Sequence, residues 1–222
     1  MLPKKVKTFG RKSGRMSSAE KSALDNLLPQ FLIDPTLPLD LEKTFHRDAD
    51  TFVEIGFGSG DFLFREALEH PENNYIGIEY YMPGIAKLLR KIEKERQNQP
   101  GALKNIRIVN SEAYHFLKES VPANSLSGIY ILFPDPWPKK RHHKRRLIKK
   151  EFVELLKNRL KKDGFVIVAT DHEEYALQIR EVFSEAGYKQ KDTPAYLIDT
   201  KYSRKASCKG ERIHRFCFIN PR

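Results

Sequence analysis

From Thr51 to Thr170 the chain repeats one pattern: a short apolar run, a turn, then a stretch with apolar residues at helical spacing. The runs predict strands at Thr51–Ile55, Tyr75–Glu79, Ile106–Asn110, Gly128–Phe133 and Phe165–Thr170. Helices are predicted between them at Asp61–Glu69, Pro83–Arg96, Ala113–Lys118 and Ile148–Leu160, with another, Glu173–Ala186, after the last strand. Short apolar strands joined through helices imply a parallel sheet covered on both faces. Right-handed crossovers make this an α/β, doubly wound, mostly parallel sheet, with ligands expected at the carboxyl ends of the strands. Arg212–Ile219 predicts a final strand, in which Cys217 alternates with Phe216 and Phe218 as a core residue.

No repeat or composition break interrupts the alternation, so residues 17–222 read as a single domain. Residues 1–16 read as a basic tail, mobile without a partner. Ser17-Ser18-Ala19-Glu20 resembles a helix cap, followed by Leu24, Leu27 and Leu28 at helical spacing. Pro29, Pro35 and Pro38 are expected to stop regular structure.

The 222 residues carry 40 Lys and Arg against 29 acids, a net charge of +11 that favours a polyanionic partner, nucleic acid before membrane. The charge is clustered. Eight of the twelve positions from Lys139 to Lys150 are Lys or Arg, and Lys4, Lys5, Lys7, Arg11, Lys12 and Arg15 precede the first acid, Glu20. The bland alternative is a solvated charged face. Cys208 and Cys217 form neither a disulfide framework nor a metal-ligand spacing. With no apolar stretch long enough to span a membrane and no signal-peptide core, a cytoplasmic location is the expectation.

Two places carry chemistry. Glu54-Ile55-Gly56-Phe57-Gly58-Ser59-Gly60 follows the first strand and opens a helix, so a ligand can approach bare backbone. The dinucleotide fingerprint needs glycine at position 61, where this chain has Asp61, an acid that would repel a pyrophosphate. Glu79 closes the second strand, where an acid accepts from ribose hydroxyls. An adenosine ligand without phosphates, S-adenosylmethionine, satisfies both facts. Glu112, after the third strand, is either an acceptor for the adenine amine or a helix N-terminal acid.

The second place follows the apolar run Ile129–Phe133. Pro134-Asp135-Pro136-Trp137-Pro138 sets one carboxylate and one indole in a stiff backbone directly before Lys139-Lys140-Arg141-His142-His143-Lys144-Arg145. Trp137 offers either a stacking surface for a base, worth roughly 1–3 kcal/mol, or a brace for the proline turn. Adjacent His142 and His143 would diverge on a helix, which disfavours a shared metal and leaves them in the polyanion footprint.

With these motifs in order, the chain resembles the bacterial tRNA (guanine-N7-)-methyltransferase family, of the class I S-adenosylmethionine-dependent type with a seven-stranded sheet. The likeness runs from Gly14-Arg15-Met16 through the glycine turn, Tyr75-Ile76-Gly77-Ile78-Glu79, Phe133–Lys139 and Arg141–Arg146 to Ala169-Thr170-Asp171 and Thr200-Lys201-Tyr202. It implies cofactor contacts from Glu54, Gly56, Gly58, Glu79, Glu112 and Asp135, and RNA or guanine contacts from Lys139, Asp171, Thr200, Lys201, Tyr202 and Ser203. The implied substrate is the variable-loop guanosine, position 46 of tRNA, in a monomer or homodimer. Glu112 replaces the family's Asp, and Ser203 replaces its Glu.

Guanine N7 has a free lone pair and needs no deprotonation before attacking a sulfonium methyl group. Alignment of N7, carbon and sulfur then dominates, and Asp135 is the candidate catalytic carboxylate, offsetting charge on the purine or accepting from its N1–H and amine. Asp171 could hold the amine edge, or cap the helix after it. Two rival readings differ in class. Methylation of an exocyclic adenine amine would favour adjacent prolines, which Asp135 separates here, and a cofactor-binding RNA scaffold would do no chemistry.

Overall fold

The computed structural model describes residues 14–193 and 212–221. Five strands lie parallel: β1 (Thr51–Ile55), β2 (Asn74–Ile78), β3 (Ile106–Val109), β4 (Leu126–Leu132) and β5 (Leu160–Thr170). Two more, β6 (Lys189–Lys191) and β7 (His214–Ile219), close one edge, with β7 antiparallel to both β5 and β6. The order β3-β2-β1-β4-β5-β7-β6 makes a seven-stranded sheet whose direction of winding reverses beside β1. That reversal opens a crevice at the carboxyl ends of β1 and β4.

Alternation along each strand feeds two helical layers. On β2, Tyr75 joins a cluster with Leu24 of α1 (Ser18–Phe31) and Leu88 of α4 (Met82–Asn98). Its neighbour Ile76 joins Phe116, Phe152 and Ile179 from α5 (Ala113–Glu119), α6 (Lys150–Arg159) and α7 (Glu173–Glu185). Phe62, on α3 (Asp61–Glu69), packs with Tyr130 of β4 and Ile167 of β5. Burying both faces is what the near-continuous apolar strands require. Phe216 and Phe218 are buried and Cys217 is half-buried against the Phe62 cluster, with its thiol pushed up by burial.

Several boundaries differ from expectation. The capping box of α1 forms as read, with Ser17 Oγ accepting from Glu20 N and Glu20 accepting from Ser17 N at 2.8 Å. Pro29, however, lies inside α1. In the last turn a proline removes one amide donor, and Leu32 N–H still donates to Leu28 O at 2.9 Å. A short α2 (Leu41–Phe45) follows Pro38, capped by Asp40 and anchored by buried Phe45. Leu160 starts β5 instead of ending α6, because it pairs with Leu126 before a register irregularity that exposes Lys162 and Asp163.

Residues 1–13 of the expected tail lie outside the described residues. Met16 packs against the α1–α4 cluster, and Gly14 lies so close to Tyr81 that a Cβ there would sit 2.0 Å from the phenol oxygen. No helix among the described residues is long and apolar enough to cross a membrane.

Candidate active site

A cleft of about 460 Å³ opens at the carboxyl edge of the sheet, walled by the loops after β1, β2, β3 and β4. Gly56, Gly58, Glu79, Glu112 and Asp135, scattered over eighty residues of sequence, line it together. Among the described residues its lining contains those three carboxylates and no Lys, Arg or His. Such a cavity selects for a cation or a neutral polar group and against phosphate.

The loop after β1 is shaped from several sides. Gly56 and Gly58 have φ of 73° and 57°, in the left-handed region that favours glycine. Gly84, in the first turn of α4, approaches the loop so closely that a Cβ would meet Gly58 O at 2.2 Å. Lys91 donates to Ser59 O at 2.8 Å and pairs with Asp61, fastening the loop to α4. Asp61 thus serves the loop's own brace. Neither Gly84 nor Lys91 is legible as a site residue from spacing alone, since both sit in an amphipathic helix pattern.

Glu79 organises the same wall. Its Oε2 accepts from Gly58 N and its Oε1 accepts from Tyr80 N and Tyr81 N, each at 2.8 Å. Two bonds fill Oε1, leaving the open acceptor capacity on Oε2. Asn110 donates to Glu79 O and Tyr80 O, tying the end of β3 to this turn. Burial pushes the Glu79 carboxyl up, against the three backbone donors, and the negative charge of Asp135 across the cleft pushes the same way. A cation bound between them would reverse that shift.

Glu54 stands apart from the cleft lining. It is 4% exposed, and its carboxyl accepts from Leu63 N in the first turn of α3, whose N-cap Gly60 has no side chain to do so. Oε2 is buried with no hydrogen-bond partner. Burial pushes this carboxyl up to about 8, from an ordinary value of 4.5. The folded state therefore holds the proton more tightly than the unfolded chain. The stability that Glu54 contributes is full below pH 4.5 and is lost as pH rises through 8. In Glu54→Gln that decline is expected to flatten, with Tm above the parent by at least about 4 °C at pH 9 and little gained at pH 4.5. Thermal melts across this range test it, and a constant offset at every pH would refute the buried neutral acid.

Glu112 occupies the N-cap position of α5 yet makes no capping hydrogen bond, and its side chain lines the cleft. Asp171 is exposed between β5 and α7 and does not cap the helix. His172 does, its Nδ1 accepting from Tyr175 N at 3.3 Å. Asp171 and Lys139 are outside the lining residues, although Lys139 directly follows Pro138, which is one of them. Thr200, Lys201, Tyr202 and Ser203 lie outside the described residues.

After β4, Phe133 and Trp137 adopt φ of 55° and 45°, so the proline turn reverses twice through backbone that side chains disfavour. Asp135 is exposed to the cleft and Trp137 lines it. The Arg145 guanidinium carbon stands 4.9 Å from the centre of the indole, and His142 meets it edge-on. The basic run then forms a 3-10 helix, Lys140–Arg145, leaving Lys139, Lys140, Arg141 and Lys144 exposed. Desolvation and the surrounding cations hold the His142 imidazole below its ordinary value. One member of the run departs from the footprint: Arg146 is buried.

Comparison with known proteins agrees with this geometry. Residues 48–216 match the family described as "Putative methyltransferase". A tRNA (guanine-N(7)-)-methyltransferase of Nitrosococcus oceani is 45% identical over 190 residues, covering 85% of this chain and 78% of its own. The enzyme of that description from Legionella pneumophila subsp. pneumophila is 38% identical and covers 96% of this chain and 95% of its own. The solved 16S rRNA (adenine(1408)-N(1))-methyltransferase of Catenulisporales acidiphilia shares the fold, with a TM-score of 0.58 at 16% identity over 86% of this chain and 93% of that one. Identity of this extent over nearly the whole length places the chain in the tRNA (guanine-N(7)-)-methyltransferase family, on the class I S-adenosylmethionine-dependent fold.

Proposed function

We propose that the protein transfers the methyl group of S-adenosylmethionine to N7 of the variable-loop guanosine of tRNA, position 46, giving 7-methylguanosine and S-adenosylhomocysteine. The observation that carries this reading is an acid-lined cleft continuous, through Pro138, with an exposed run of cations. A phosphate-free cationic ligand suits the cleft, and a polyanion suits the run beside it.

The donor set fits the cofactor. Glu79 Oε2 keeps acceptor capacity for a ribose hydroxyl, Glu112 has no capping duty to fulfil, and Gly56 and Gly58 line the cleft without side chains to obstruct it. Bound there, the cofactor supplies a methyl group on cationic sulfur. The chain's part is orientation. Asp135 faces the cleft from a turn pinned by three prolines, where it stabilises positive charge arising on the purine and accepts from the guanine N1–H and amine. Lys139, which follows Pro138 of the lining, and Asp171, exposed after β5, are assigned to the RNA, as are Thr200 to Ser203. Holding the partners in line contributes on the order of 7–11 kcal/mol to lowering the barrier, so no general base is required. The described lining residues all come from one chain, and the reading takes the protein as a monomer or a homodimer.

Incubation with unmodified tRNA transcript and methyl-labelled S-adenosylmethionine tests the reading. Label is expected in 7-methylguanosine and is lost when the variable-loop guanosine is replaced. Label in methyladenosine would keep the fold and overturn the target, and binding of both ligands without label would favour the scaffold reading.

A further inference from the structure

Arg146 belongs by sequence to the basic run, yet it is 1% exposed and among the largest fully buried side chains described. Its guanidinium is engaged on every edge. Nε donates to Pro136 O at 2.9 Å and Nη1 to Gln178 Oε1 at 2.6 Å. Nη2 lies 3.1 Å from His143 Nε2 and 3.5 Å from Glu174 Oε1, and the plane rests 4.9 Å from the centre of the Tyr175 ring. Gln178 in turn donates to Ile148 O, and Tyr175 Oη accepts from Ile148 N.

Pro136 is the residue between Asp135 and Trp137, and Trp137 has a φ of 45°. A backbone in that region persists only when its surroundings over-determine it. Buried Arg146 bridges Gln178 of α7 to the carbonyl in the middle of the turn. A charged guanidinium hydrogen-bonded on several edges is a rigid fork, which neither lysine's single ammonium nor an apolar side chain reproduces.

We propose that Arg146 is a positioning residue: it sets the pose of the Pro134–Pro138 turn over the cleft, and hence turnover, without touching RNA. This rests on the reading of Asp135 given above. The cation nearest in sequence to the footprint is on this account withdrawn from it, and Glu174, Tyr175 and Gln178, spaced along one face of α7, form its socket.

The chain's single tryptophan is Trp137, so intrinsic fluorescence reports the pose of this turn directly. Arg146→Lys is expected to keep its circular dichroism and its affinity for S-adenosylhomocysteine, while Trp137 emission shifts and acrylamide quenching changes. Turnover is expected to fall by about 10²-fold, as misplacement by an ångström does. Affinity for tRNA and its salt dependence are expected to stay as in the parent. A salt slope reduced by about 1, with weakened tRNA binding, would make Arg146 a phosphate contact and overturn the proposal. Should Arg146→Lys fail to fold, Gln178→Met removes one acceptor and is expected to move the same readouts less far. A folded variant of either kind with unchanged emission and turnover overturns the proposal. Shifted emission with unchanged turnover would leave Arg146 as anchor of the turn and overturn the proposal that it sets turnover, while the role of Asp135 is tested separately by its own substitution.

Discussion

Asp135→Asn is expected to fold as the parent does, to bind S-adenosylhomocysteine within a few-fold of it, and to lose methyl transfer by about 10²–10³-fold in single-turnover assays. The substitution keeps size and leaves the proline turn, whose pose depends on the backbone of Phe133 and Pro136. Phe133 N donates to Ala169 O at 2.8 Å, and Pro136 O accepts from Arg146, backbone anchors that the substitution leaves in place. What disappears is a negative charge facing the cleft where positive charge moves from sulfur to purine. An amide also offers one acceptor where the carboxylate offers two, which breaks any paired contact with guanine N1–H and amine. Because N7 needs no deprotonation, the loss should be nearly independent of pH between 6 and 9. Turnover near the parent's would remove Asp135 from the reaction. An equal loss in cofactor affinity would make it a binding residue instead.

Glu79→Ala is expected to weaken cofactor binding by more than about 10²-fold, measured by calorimetry with S-adenosylhomocysteine. Three backbone donors, from Gly58, Tyr80 and Tyr81, lose their acceptor together. A buried orphaned donor costs about 1–3 kcal/mol, though water entering this open cleft offsets part of that. The remainder is released by movement of the Gly58 loop, so the lost ribose acceptor is joined by a displaced wall. Glu79→Gln should rescue little. Its amide nitrogen must face either Gly58 N or the paired donors of Tyr80 and Tyr81, donor against donor. Full affinity in the Gln variant would show that the carboxylate's two-sided acceptance is unimportant. The core is remote from these changes, and thermal stability should fall by only a few degrees.

Much of this was readable in the chain, because burial on both sides of a parallel sheet leaves apolar runs such as Tyr75–Ile78 and Ile129–Leu132 that few other structures produce. The convergence of Gly56, Gly58, Glu79, Glu112 and Asp135 followed from topology, since each sits just past the carboxyl end of a strand. Other features left no local trace. Lys189–Lys191 is a strand of exposed polar residues, held by pairing with β7 and not by its own pattern. Pro29 reads as a stop in any window, yet its position in the final turn makes the missing donor inexpensive to the helix. Arg146 is indistinguishable in sequence from Arg145. One meets an indole at the cleft and the other a buried socket on α7, and only the packing of that helix decides between them. Glu54 shows the converse: it too sits at a strand end, yet it stands outside the cleft lining and its carboxyl caps a helix whose own cap is glycine, a duty no spacing announces.

The cleft whose described lining holds three carboxylates and no cation also ranks what it holds by charge. On the proposed reaction the spent cofactor leaves with its sulfur neutral, one positive charge fewer than it brought, while the methylated purine gains that charge at the border of an exposed cationic run. The spent cofactor is thus electrostatically less welcome among the carboxylates than its precursor was. The same carboxylates that draw in the charged cofactor work toward release of its neutral product, and low ionic strength should make the enzyme more tolerant of accumulated S-adenosylhomocysteine relative to S-adenosylmethionine.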